Sequence, residues 1–247
     1  MCGHGVIALV TVALETGMLP KRNIIRIDSP AGLITAYPRQ TDSNEKCRVQ
    51  SVAFENVPSF VYKSDQVIQV PGLGQVRYDI AFGGAFYAFV EAADVGVALE
   101  PRDFRRLIEY GTLIKRAIVD TQKIQHPFDA DLSFLYGTMF IGPSLLAGAN
   151  SRQVCIFADG QVDRSPCGTG VSARLALEIA RGRLKLNETY TVESILGTQF
   201  TGHVIADRKY SDYAAVIPQV EGRAWITGRS EFLVAPNDPL KTGFLLR

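Results

Sequence analysis

MCGHGVIALVTVALETG, residues 1–17, returns in outline at residues 166–182 as PCGTGVSARLALEIARG. Aligned on the cysteine, Cys2 falls on Cys167, Gly3 on Gly168, Gly5 on Gly170, Val6 on Val171, Ala8 on Ala173 and Gly17 on Gly182. Each copy sets a Cys-Gly-x-Gly turn ahead of a largely apolar run and closes it with glycine, a helix stop signal. Residues 5–16 are apolar nearly all round, which predicts a helix inside a core rather than on a surface.

The repeated turn is chemically suggestive. A helix N-terminus presents unpaired backbone N–H groups and the positive end of the helix dipole. Glycines there let the backbone close on an anion without a Cβ in the way, and a cysteine there has its thiolate stabilised. One turn therefore supplies a carboxylate cradle and a thiol base. Two such turns facing each other would put a thiol on each side of one bound carbon, which suits proton removal on one face and proton return on the other. A single Cys-Gly pair is more often a tight helix start with a small buried thiol; the pairing of two favours the chemical reading.

From Asn23 onward short strands are predicted in IIRIDSPAGLITAYP and RVQSVAFENVPSFV, by alternation, β-branched residues and Pro/Gly punctuation. Residues 70–92 read as a hairpin turning at 72–74 and a second strand pair broken by Gly83 and Gly84, a bulge or a close approach to a ligand. Residues 102–120 carry apolar positions at helical spacing. VCIFADGQVDRSP (154–166) is a strand leading into a loop, and strands resume in TYTVESILGTQFTGHVIADR, YAAVIPQV and AWITGRSEFLVAP. The order is α+β rather than regular βαβ.

The composition is ordinary for a globular chain: of 247 residues, 47% are hydrophobic and 21% charged, with a formal net charge of +1. No basic block suggests nucleic acid, and no segment is long and apolar enough for a bilayer span. The four cysteines, Cys2, Cys47, Cys155 and Cys167, form no C-x-x-C pair, so a zinc ribbon is not expected. The run after Cys2 lacks a basic n-region and a cleavage site, so a cytoplasmic chain with reduced thiols is expected. The GLG of 72–74 has no helix after it and does not read as a dinucleotide loop. Cys47 and Cys155 lie in strand-like runs and read as buried small hydrophobes, and His126 and His203 as structural. A cysteine hydrolase pairing Cys2 with His203 has no nucleophile motif behind it. Asp163, four residues before Cys167, is placed either to accept hydrogen bonds from an ammonium substrate or to cap the loop. His4 could bond the substrate or the thiol, or help cap the helix.

MCGHG together with DRSPCGTG resembles the proline racemase family, and SVAFENVPSFVYK, DIAFGGAFYAFV, FADGQVDRSPCGTG and DPLKTGFLLR look most like its trans-3-hydroxy-L-proline dehydratase branch. The resemblance implies the diaminopimelate epimerase-like fold: two pseudo-symmetric α/β domains, each with a sheet around a central helix, and a site in the cleft between them. The internal repeat is what such a fold implies. The first domain would comprise residues 1–50 plus 226–247 and the second 51–225. Cys2 and Cys167 match the two catalytic thiols. Gly3, His4, Gly168 and Thr169 match the positions that hold the substrate carboxylate, Asp163 the one that binds the ring nitrogen, and Phe157 a pocket wall. The resemblance implies no metal, pyridoxal phosphate or nucleotide, a hydroxyproline or proline substrate, and a homodimer. The expected reaction is dehydration of trans-3-hydroxy-L-proline, with 4-hydroxyproline 2-epimerisation as a side activity. A proline racemase or epimerase using both thiols is the alternative. The resemblance implies further strands ahead of the first cysteine. The first domain is therefore expected to be incomplete, with apolar surface left on helix 5–16, and an inactive fragment or ligand-binding module is a third reading.

Overall fold

The computed structural model describes residues 1–41 and 47–245. Residues 42–46 and 246–247 of the expected first domain lie outside the described residues. The two repeats form α1 (Gly3–Glu15) and α3 (Gly168–Ala180), both 13 residues long, with Cys2 and Cys167 as their N-caps. Between them come β1 (Ile25–Ser29), β2 (Gly32–Thr41), β3 (Arg48–Glu55), β4 (Ser59–Val70), β5 (Gly74–Phe82) and β6 (Phe86–Glu91). The amphipathic α2 (Phe104–Thr121), β7 (Leu135–Gly142), β8 (Ser151–Phe157) and β9 (Gln161–Val162) follow. After α3 the chain ends its regular structure with β10 (Tyr190–Glu193), β11 (Gln199–Tyr210) and β12 (Tyr213–Gly222).

Eight strands close into a barrel in the order β4-β5-β6-β7-β8-β10-β11-β12, with β12 returning to β4 through Ala215–Phe60 and Val216–Ser59. The far half of β12 pairs instead with β3, from Gln219–Glu55 to Gly222–Val52, and β2 and β1 extend the sheet from there. One strand thus serves both the barrel and its extension.

Helix α3 is the barrel's axis. Every residue from Gly168 to Glu178 is buried, which explains why its sequence lacks a polar face. Its two interior charges are paired, Arg174 Nε lying 2.7 Å from Glu178 Oε1, as buried charges require. Gly83 seats the β5–β6 corner on α3, since a Cβ there would fall on the Thr169 carbonyl oxygen. Gly84, beside it, lies against the side chains of Met1 and Thr169. Asn56 fixes the same junction, its Nδ2 donating to Gly83 O and Ser172 Oγ, both at 2.8 Å. Helix α2 covers the outside through Leu107, Ile114 and Ile118, with Gly111 against Ile156 of β8.

Helix α1 packs on β2 and β3. It buries Val6, Ile7, Val10 and Leu14 but leaves Leu9 56% exposed and Val12 38%, so its apolar circumference is only partly enclosed. Two other expectations are corrected. AWITGRSEFLVAP forms no strand: residues 223–234 have no regular structure, and Trp225, Phe232 and Leu233 are exposed. Strand-like alternation yields a strand only where an edge offers hydrogen bonds. Cys47 is half-buried ahead of β3, its thiol donating to Gln40 Oε1 at 3.1 Å. β7 fills a stretch with no predicted element.

Candidate functional site

Helices α1 and α3 meet N-terminus to N-terminus. A Cβ on Gly3 would lie 2.7 Å from the Gly168 Cα, and one on Gly168 2.8 Å from the Gly3 Cα. Only hydrogen fits at either position, so the first glycine of each turn exists for this contact. The second glycine lies beside the thiol: a Cβ on Gly5 would be 3.0 Å from Cys2 Sγ, and one on Gly170 3.2 Å from Cys167 Sγ, though nearer still to Met139 Cε. The Cys-Gly-x-Gly spacing is thus explained twice over by packing. It converges two sets of free N–H groups and two positive helix ends.

The two thiols differ. Cys2 is exposed and caps α1 from extended backbone (φ −128°). Cys167 is 5% exposed and caps α3 at φ +65°, a left-handed conformation rare for a residue with a Cβ. That strain is held in place by hydrogen bonds around it, Cys167 N–H donating to Ser165 Oγ at 3.0 Å and Gln153 Nε2 to Pro166 O at 2.5 Å. Such strain clusters at functional sites. A hydrogen bond from Cys155 favours the Cys167 thiolate and holds its pKa down against burial, while burial pushes the Cys155 thiol well up.

Asp163 is buried, and its Oδ1 accepts from both the N–H and the Oγ of Ser165, at 2.8 and 2.9 Å. Its Oδ2 lies 3.2 Å from Nδ1 of His4, whose side chain is 44% exposed. Burial opposes ionisation of Asp163, but the bonds from His4 and Ser165 outweigh it and hold its pKa down. In return the bond to Asp163, followed by one to Cys2, raises His4 to about 10, so His4 is a cation at neutral pH. Both readings of Asp163 hold in part: it organises its loop and keeps one oxygen directed at a cation.

A cleft of about 1310 Å³ opens here, with His4, Phe157, Asp163 and Ser165 on its wall. Phe157 stacks on Tyr136, ring centroids 5.5 Å apart, and burial pushes the Tyr136 phenol up to about 12. The structure therefore brings together Cys2, Gly3, His4, Asp163, Cys167, Gly168 and Thr169, with Phe157 on the cleft wall beside them. His126 stays in the core, where its Nδ1 accepts from Asp129 N–H at 3.1 Å. Three residues were not anticipated: Ser165, Tyr87 and Tyr136. For Ser165 a signal existed, since a serine two residues after an aspartate commonly closes an Asx turn. Among the described residues no cluster of His, Cys, Asp and Glu could hold a metal, and no helix is long and apolar enough to cross a membrane.

A closed barrel around a buried helix, with its N-terminus set against that of a second, similar helix, defines an α+β fold of the diaminopimelate epimerase-like class. The chain belongs to the proline racemase family, whose profile it matches over residues 1–245. It is 46% identical to a trans-3-hydroxy-L-proline dehydratase of Colwellia psychrerythraea over all of this chain and 69% of that protein. It is 40% identical to a proline racemase of Clostridioides difficile over all of this chain and 73% of the other. Among solved structures it is similar to a hydroxyproline epimerase from Agrobacterium vitis with bound trans-4-hydroxy-L-proline. There the TM-score is 0.92 at 35% identity, covering all of this chain and 70% of that one.

Proposed function

We propose that the chain is a cofactor-independent lyase that dehydrates trans-3-hydroxy-L-proline to Δ1-pyrroline-2-carboxylate. The observation that carries this reading is the contact of two thiol-capped helix N-termini at Gly3 and Gly168. Its likeness to the Colwellia dehydratase selects the substrate. The substrate carboxylate takes the backbone N–H groups of Gly3, His4, Gly168 and Thr169, and the ring ammonium takes Oδ2 of Asp163 beside His4. Phe157 walls the ring.

In trans-3-hydroxy-L-proline the hydroxyl is trans to the carboxylate, so it lies on the same ring face as the α-hydrogen. The Cys2 thiolate removes the α-proton, and the Cys2 thiol then gives that proton to the departing hydroxyl. Water leaves, the thiolate is restored, and the resulting enamine tautomerises to the product. The first domain, 1–50 plus 226–247, carries Cys2, and the second, 51–225, carries the other jaw.

Isomerisation needs an acid on the opposite face. Cys167 at that jaw, with the likeness to the Agrobacterium epimerase, favours 4-hydroxyproline 2-epimerisation or proline racemisation as a second activity. The four free thiols suit a cytoplasmic enzyme, and a homodimer is the expected assembly. The test is incubation with trans-3-hydroxy-L-proline. Pyrroline-2-carboxylate should form, and Cys2→Ser should abolish it; a well-folded protein that yields none would refute the assignment.

A further inference from the structure

Cys167 is enclosed by hydroxyl groups that the reaction above does not use. Tyr87 on β6 points into the barrel, is almost wholly buried, and places its hydroxyl 3.5 Å from Cys167 Sγ. The same hydroxyl lies 2.6 Å from Thr169 Oγ1, which is itself 3.7 Å from Cys167 Sγ. The three atoms form a closed triangle beneath the first turn of α3. Each of the two hydroxyls can donate and accept. When Cys167 carries a proton, it donates to Tyr87, and Tyr87 donates to Thr169. When Cys167 is a thiolate, Tyr87 and Thr169 can turn their hydrogens toward the sulfur without any heavy atom moving.

We propose that Tyr87 is a positioning residue that fits Cys167 to both of its protonation states, with Thr169 closing the ring. The inference rests on the reading of Cys167 as the second acid–base thiol. A buried thiol without such partners loses its thiolate to desolvation and could not alternate between acid and base. Tyr87 can act as a donor because burial keeps its own phenol protonated. The other titratable groups facing Cys167 are Cys155 from β8, Tyr136 from β7 and Asp163 from the loop before α3. Of these, Asp163 discourages a second negative charge, which makes neutral donors such as Tyr87 and Cys155 the means of holding one.

The test is Tyr87→Phe, which keeps the ring and its edge contact with Tyr136 (centroids 5.7 Å apart). Alkylation by iodoacetamide, followed across pH on the Cys167 peptide, reads the thiol directly and does not depend on turnover. The midpoint should move up by about one unit, and solvent deuterium incorporation at the α-carbon of 4-hydroxyproline should fall about tenfold in kcat with KM little changed. Thr169→Val should shift the midpoint the same way by less, and Thr169→Ser, which restores the hydroxyl, should leave it in place. An unmoved midpoint in folded Tyr87→Phe, or in Thr169→Val should Tyr87→Phe not fold, overturns the inference. If instead Cys167→Ala retains full deuterium incorporation with inversion, it is the acid–base role of Cys167 that fails, whatever the midpoint shows.

Discussion

At the scale of single residues, the account turns on a carboxylate and an imidazole that ionise each other. The pKa of His4 is raised by its partner, so its contribution to stability is complete below its ordinary value of 6.5 and is lost as pH rises through about 10. Asp163 is held down, so its contribution is present above the ordinary carboxylate range and is lost as pH falls through its lowered value. The pair therefore spans neutral pH intact. Replacing Asp163 by asparagine should bring the His4 titration, read by imidazole NMR, from about 10 back toward 6.5, and should raise KM by roughly tenfold or more through loss of a charge-assisted bond to the ring ammonium. An unchanged His4 titration would show that the 3.2 Å contact carries no electrostatic weight. Cys2, His4, Asp163 and Cys167 were legible in the sequence because two short motifs contain them. Tyr87 was not: 80 residues separate it from Cys167, and no local pattern marks a tyrosine on an inward-facing strand position as a partner of a distant thiol.

At the scale of elements, the glycines of the two turns decide whether the site exists. Gly3→Ala would put a methyl group 2.7 Å from backbone, not from a side chain that can swing aside, so the two helices must part. The expected cost is about 1–3 kcal/mol in denaturant unfolding, with activity lost because both cradles move. Gly228, with nothing near its Cβ position, is the control: Gly228→Ala should stay within about 0.5 kcal/mol of the parent. Equal effects at the two positions would refute the close contact. The helices could be read from the repeat, and most strands from alternation. What could not be read is the closure of β12 onto β4, because a barrel seam is a long-range pairing with no sequence signature of its own. AWITGRSEFLVAP shows the converse. Its alternation is that of a strand, yet a strand also needs a neighbour, which a single segment cannot specify.

At the scale of the whole molecule, two cysteine-capped helices are brought head to head by a barrel on one side and a sheet extension on the other, with β12 common to both. The consequence is a site with a different thiol on each side. Cys2 is exposed and paired with an imidazolium; Cys167 is buried, strained and ringed by donors. In the proposed mechanism elimination needs only the first, since the leaving hydroxyl and the α-hydrogen share a face, whereas inversion needs both. The most direct measurement is therefore the Cys167→Thr variant in D2O, given trans-3-hydroxy-L-proline and 4-hydroxyproline in parallel. The account predicts that pyrroline-2-carboxylate still forms from the first, while deuterium incorporation with inversion disappears from the second. Loss of dehydration together with inversion, in a folded variant, would contradict the division of labour between the two thiols.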